Sequence, residues 1–159
     1  MKIQSFLIFL LIVFIILTIT ILIKKHLKNR KKKSENDPKL KEIKNILKPF
    51  LEKKDWDGLL IELNNENILD RIKFHRGDKS FTINKEKVYL CLYDENGEYY
   101  NTNWLIFVTL HELSHVLCDE IGHTEKFQKI FDELLEEAIK EKIYNPEDPI
   151  NANYCTFKK

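Results

Sequence analysis

Acid is missing from the first 33 residues of this chain, disulfide pairing has little to work with, and no internal repeat is visible. Residues 1–33 hold eight Lys or Arg and no Asp or Glu, whereas residues 34–159 hold eighteen basic side chains against twenty-five acidic. The formal charges are therefore +8 and −7, which reproduce the overall +1. A net-acidic C-terminal part argues against nucleic acid as a direct partner of that part. Three cysteines, Cys91, Cys118 and Cys155, are odd in number and form no C-x-x-C pair. That count suits a reducing compartment better than a disulfide framework. No N-x-Ser/Thr sequon occurs, in keeping with a cytosolic domain.

Charge is also absent from Phe6 to Ile23, eighteen consecutive positions that are apolar apart from Thr18 and Thr20. As a helix this run spans roughly 27 Å, enough for the hydrocarbon core of a bilayer. Seven of the next ten residues, Lys24 to Lys33, are basic, and only Lys2 and the α-amine lie on the other side. The positive-inside rule then puts the N-terminus outside or in a lumen and the C-terminal part in the cytosol. A cleaved signal peptide would have a shorter apolar core, small residues at the cleavage positions and its basic residues in front. The basic run can be read as a nucleic-acid or import patch, but beside an apolar span, contact with anionic lipid headgroups is the simpler reading. The expected organisation is an N-terminal tail and transmembrane helix over 1–23, a basic juxtamembrane linker over 24–37 and one folded domain over 38–159.

Within that domain Asp37 and Pro38 read as the cap and first turn of a helix carrying Leu40, Ile43, Ile46, Leu47, Phe50 and Leu51, with Pro49 marking its kink or end. Trp56 to Leu63 could form a second helix before the Asn64–Asn67 loop signal. Alternation at Ile72/Phe74, Phe81/Ile83 and Val88/Leu90/Leu92 predicts three short strands, followed by a hairpin-type turn at Asp94–Gly97. Asn103 to Glu120 is helical and apolar on nearly every side, hence buried, with Gly122 as its left-handed stop. Thr124 can cap an amphipathic last helix with apolar positions from Phe127 to Ile139; Asn145-Pro146-Glu147-Asp148-Pro149 ends it, and the tail from there to Lys159 reads as irregular.

The buried helix carries His111-Glu112-Leu113-Ser114-His115. Residues four apart share a helix face, so His111 and His115 can offer two imidazoles to one ion. Glu112 stands about 100° further round, beside the metal rather than on it, where a carboxylate can take a proton from an attacking water. Zinc hydrolases need this set, completed by a third ligand. His123, just after the helix-breaking Gly122, is the candidate for that place; a solvated loop histidine is its plain alternative. Cys118 is a rival on the same helix face, though three ligands on one straight helix aim nearly parallel, and a small core residue is the better reading. Glu133, Glu136 and Glu137 rank lower because they lie on the polar face of the last helix. His26 and His75 read as solvated. Tyr144 and Tyr154 could donate to an oxyanion, but core or surface tyrosine is the simpler assignment.

The His111-Glu112-x-x-His115 motif with Gly122-His123-x-x-x-Phe127 resembles the WLM and SprT-like zinc metallopeptidases. The text from Asp78 through Phe81-Thr82-Ile83 and Val88-Tyr89-Leu90 to Tyr154-Cys155 is similar to WLM-like proteins of large DNA viruses. The seven residues between His115 and His123 are a longer gap than the better-known patterns have. The resemblance implies a minimal zincin-like domain, so that the expected fold is α+β, with that domain following the transmembrane helix read from the apolar run; membrane anchoring and net acidity are where this chain departs from those families. That domain would hold a small, mainly antiparallel sheet, a central H-E-x-x-H helix and a C-terminal amphipathic helix. It also implies one zinc ion per chain, held by His111, His115 and His123, with Glu112 as the base. The expected activity is that of a membrane-anchored, zinc-dependent endopeptidase whose polypeptide substrate lies along an edge strand around Val88 to Leu92. A non-catalytic zinc-binding adaptor or structural membrane protein is the alternative, and a zinc hydrolase of non-peptide bonds a third reading. A virion or a host endomembrane is the membrane to be expected.

Overall fold

An unbroken apolar run satisfies its own backbone most simply as a helix, and the chain begins with one, α1 (Lys2–Glu35). The computed structural model describes residues 2–53, 55–64 and 68–148. Within α1, Ile8 to His26 is long and apolar enough to cross a membrane, and its side chains are solvent-facing rather than packed in a core. The helix continues through the basic run, which was expected to be a linker. Residues 1–34 and 35–159 form separate compact units.

The second unit is mixed α/β with a small three-stranded sheet. Asp37 caps α2 (Pro38–Leu51), its side chain accepting from Lys39 N at 3.0 Å, while Pro38 opens the helix where no N–H is needed. Buried Asp37 also accepts from the hydroxyls of Tyr93 at 2.9 Å and Tyr99 at 3.2 Å, which ties the start of α2 to the Asp94–Gly97 turn. A 3-10 turn (Gly58–Asn64) stands where a second α-helix was expected, and a short α3 (Ile68–Arg71) precedes the sheet.

The strands β1 (Lys73–Arg76), β2 (Phe81–Ile83) and β3 (Lys87–Leu90) fall where alternation placed them. Their order is β1-β3-β2, with β1 parallel and β2 antiparallel to β3, so the sheet is mixed rather than mainly antiparallel. Because β3 is the central strand, it has no free edge for a substrate; the free edges among the described residues belong to β1 and β2. Alternation alone would turn Phe81 and Ile83 inward, yet they are 41% and 39% exposed and Thr82 faces the helix layer.

Helix α4 (Thr102–Leu117) packs against β2, β3, α2 and α5 (Glu125–Lys140), which makes it the centre of the unit. Leu105, Ile106, Leu110 and Leu113 are at most 1% exposed, and each contributes roughly 1.5–3 kcal/mol by leaving water. Asn101 caps α4 through Trp104 N at 2.7 Å, and Thr124 caps α5 through Phe127 N at 3.3 Å. The expected end of α4 at Gly122 is corrected: the helix stops at Leu117, with Cys118 extended (ψ 126°), and Gly122 (φ +88°) bends the loop that follows. His75, expected to be solvated, is buried in β1 and stacks on Tyr89. The cysteine count was read as suiting a reducing compartment better than a disulfide framework; Cys118 is free and buried, Cys91 is disulfide-bonded, and Cys155 lies outside the described residues. The tail expected to be irregular lies beyond residue 148, outside them too, as does Tyr154.

Candidate metal centre

Two elements and one loop bring the site together. One turn of α4 stacks His111 over His115. After Cys118 the chain bends through residues 119–123, Gly122 supplying the left-handed φ, and returns His123 just before the N-cap of α5. Nε2 of His123 lies 3.0 Å from Nε2 of His111 and 3.2 Å from Nε2 of His115. Ligand atoms of the three residues all lie within 4.8 Å of one another, and His111 and His115 are half-buried while His123 is exposed.

These spacings fit a metal. Three nitrogens bound to one tetrahedral zinc at about 2.0–2.1 Å stand roughly 3.3–3.4 Å apart. Each neutral imidazole nitrogen carries either one N–H or one lone pair, so His123 Nε2 can make a well-aimed hydrogen bond with only one of its two neighbours, and the other contact is left without one. A cation that takes all three lone pairs removes that conflict. Burial first, then the neighbouring His115 and His123, pushes His111 down to about 4. His115 is lowered as well, by burial and then by His123. Both imidazoles are therefore held in the neutral form that ligates metal.

Phe127, one turn into α5, forms the floor. Its ring centroid lies 5.0 Å from that of His111, 4.3 Å from His115 and 4.8 Å from His123. Phe131 adds a wall at 5.2 Å from His111. Apolar walls fix the ring orientations and lower the local dielectric, which strengthens any charge interaction inside.

Glu112 is buried at 5% exposure, and burial pushes its carboxyl up to about 7 against the opposing hydrogen bond from Thr82. Thr82 Oγ1 lies 2.8 Å from Glu112 Oε2 and 3.0 Å from the Glu112 carbonyl. Sequence reasoning missed Thr82; its signal is a polar residue flanked by two apolar ones in a short strand. It also missed Lys85, whose Nζ donates at 2.6 Å to the Cys118 carbonyl at the end of α4. The rivals for the third ligand stand apart from the histidine group. Cys118 is fully buried, and Glu137 pairs with Lys53 at 2.8 Å and with Lys140. Glu133 lies beside Gly58. Tyr144 is buried, its ring 5.7 Å from that of Phe107.

Similar proteins are viral. The chain is 51% identical over 110 residues to uncharacterized protein 136R of Invertebrate iridescent virus 6, a match covering 67% of this chain and 62% of that protein. It is 44% identical over 101 residues to uncharacterized protein 042R of Invertebrate iridescent virus 3, covering 63% of this chain and 64% of the relative. Uncharacterized protein R325 of Acanthamoeba polyphaga mimivirus matches at 44% over 82 residues, 48% of this chain and 41% of its own length. The chain thus spans less than two thirds of the length of these relatives. No protein-family model matches the sequence, and no solved structure matches it.

Proposed function

We propose that this chain is a membrane-anchored, zinc-dependent endopeptidase with a zincin-like domain, akin to the WLM and SprT-like metallopeptidases. One observation carries the reading: three imidazole nitrogens converge at 3.0 and 3.2 Å, and the residue next to His111 on α4 is a buried carboxylate, Glu112. His111, His115 and His123 would hold one zinc ion. Zinc supplies a lowered pKa for a coordinated water and polarisation of the carbonyl under attack. Glu112 would accept a proton from the attacking water, and the same carboxyl would return it to the leaving amine.

A polypeptide would lie along β2 by main-chain pairing, since β2 is a free edge and Thr82 in it reaches Glu112. The apolar span of α1 supports membrane insertion, and the basic run after it supports a cytosolic C-terminal domain and contact of that run with anionic headgroups. Viral relatives support a viral membrane or a host endomembrane as the site of action.

The test begins with zinc per chain in the full-length protein in detergent, beside His123→Ala. About one zinc in the parent and much less in the variant is expected. Equal zinc in both removes His123 from the ligand set. Cleavage of an unfolded casein probe should then vanish in Glu112→Gln while zinc is retained. Zinc with no cleavage that depends on Glu112 would replace the peptidase with the non-catalytic adaptor.

A further inference from the structure

The strand beside the metal helix is turned the wrong way for burial. Thr82, in the middle of β2, faces α4, while its apolar neighbours Phe81 and Ile83 face solvent. A strand's two faces alternate strictly, so placing a hydroxyl inward obliges both neighbours to point outward. What Thr82 meets on the inner side is the carboxyl of Glu112.

The β2–β3 hairpin is fastened to α4 a second time. Lys85 donates to the Cys118 carbonyl at 2.6 Å, so the two ties bracket His115 along the helix. Asn84 and Lys85 hold φ of +51° and +54°, a conformation that costs a non-glycine residue roughly 1–2 kcal/mol. Such a turn persists where the surroundings over-determine it, as the Lys85 contact does here.

Resting on the zinc-peptidase reading, we propose that Thr82 is a positioning residue for Glu112, fixing which carboxyl oxygen faces the reacting water. The hydroxyl has one proton and two acceptors within reach. It favours the charged Oε2 at 2.8 Å over the neutral carbonyl at 3.0 Å. Oε1 has no hydrogen-bond partner among the described residues and is the oxygen left to take a proton. The last torsion of a glutamate side chain is broad, so an untethered carboxyl samples many orientations. Tethering Oε2 removes most of them before the reaction begins.

Acetohydroxamate tests this without a substrate, because it chelates the metal and offers a proton to an adjacent carboxylate. The full-length protein in detergent is loaded with cobalt(II), and acetohydroxamate is titrated against its visible absorption in the parent, Thr82→Val and Thr82→Ser. Cobalt content should be the same in all three. Thr82→Val should weaken acetohydroxamate about tenfold, and Thr82→Ser should stay within about twofold of the parent. Parent-like affinity in Thr82→Val overturns the proposal, as does a Thr82→Ser protein as weak as Thr82→Val. Loss of cobalt from Thr82→Val alone makes Thr82 a structural tie and overturns it too. A loaded parent that ignores acetohydroxamate also overturns it. A parent that takes up no metal brings down the zinc reading itself, a failure seen before any variant is compared.

Discussion

Glu112 is the residue whose environment has the largest consequence. In the metal-free protein burial raises its carboxyl from 4.5 to about 7. A folded-state pKa above the unfolded one means that the stability this group contributes is intact below about pH 4.5 and lost as pH rises to 7. Above pH 7 the loss is constant. Metal-free Glu112→Gln should therefore be more stable than the metal-free parent at pH 8, by up to about 3 kcal/mol, with the gain fading towards pH 4.5. Thermal unfolding of both proteins in EDTA at pH 8 and pH 5 measures this; a difference independent of pH would mean that Glu112 is not buried as a carboxyl. His111 behaves oppositely, since its folded pKa lies near 4 and stability falls as pH drops from 6.5 towards 4. The parent-minus-variant comparison cancels that slope. The histidine pair and its glutamate were legible because a helical period places them by spacing alone. Thr82 was not, because its role depends on which face of β2 meets α4.

The loop between α4 and α5 does for His123 what the helix does for His111 and His115. Gly122 at φ +88° would meet no atom within 4 Å if it carried a Cβ, so Gly122→Ala adds strain rather than a clash. The expected cost is about 1 kcal/mol. Because that strain falls beside His123, zinc affinity should drop several-fold while the melting temperature falls by only a few degrees; calorimetric zinc titration with thermal unfolding checks both. Leu110→Ala behaves differently. This fully buried residue lies in the middle of α4, and its truncation should cost about 2–5 kcal/mol and lower the melting temperature far more than Gly122→Ala. The helices α2, α4 and α5 were legible from apolar periodicity and from their Asp37 and Thr124 caps. The parallel pairing of β1 with β3 was not, since alternation names strands but not their partners. The stop at Leu117 also escaped, because Cys118 gives no breaker signal.

At the scale of the whole chain, an apolar helix with a basic end precedes an acidic folded unit. The protein should remain in membranes after an alkaline carbonate wash, and protease added to sealed microsomes should digest the C-terminal domain from the cytosolic side. Protection of the domain would invert the orientation. Cys91 makes that measurement decisive, because a disulfide suits an oxidising compartment whereas the basic run points the domain to the cytosol.

By itself the sequence determined the apolar span, the charge contrast, the main helices and strands, and the spacing of His111, Glu112 and His115. All of these are local, set by periods of 3.6 and 2 residues and by caps within a turn. Tertiary structure alone decided that His123 returns to the other two histidines, that Phe127 floors them and that β2 rather than β3 offers the free edge beside the site. It also turned Thr82 onto Glu112. The histidine contacts and the Thr82–Glu112 contact join residues eight to thirty positions apart, and only the packing of the sheet and α5 on α4 brings them within hydrogen-bond reach.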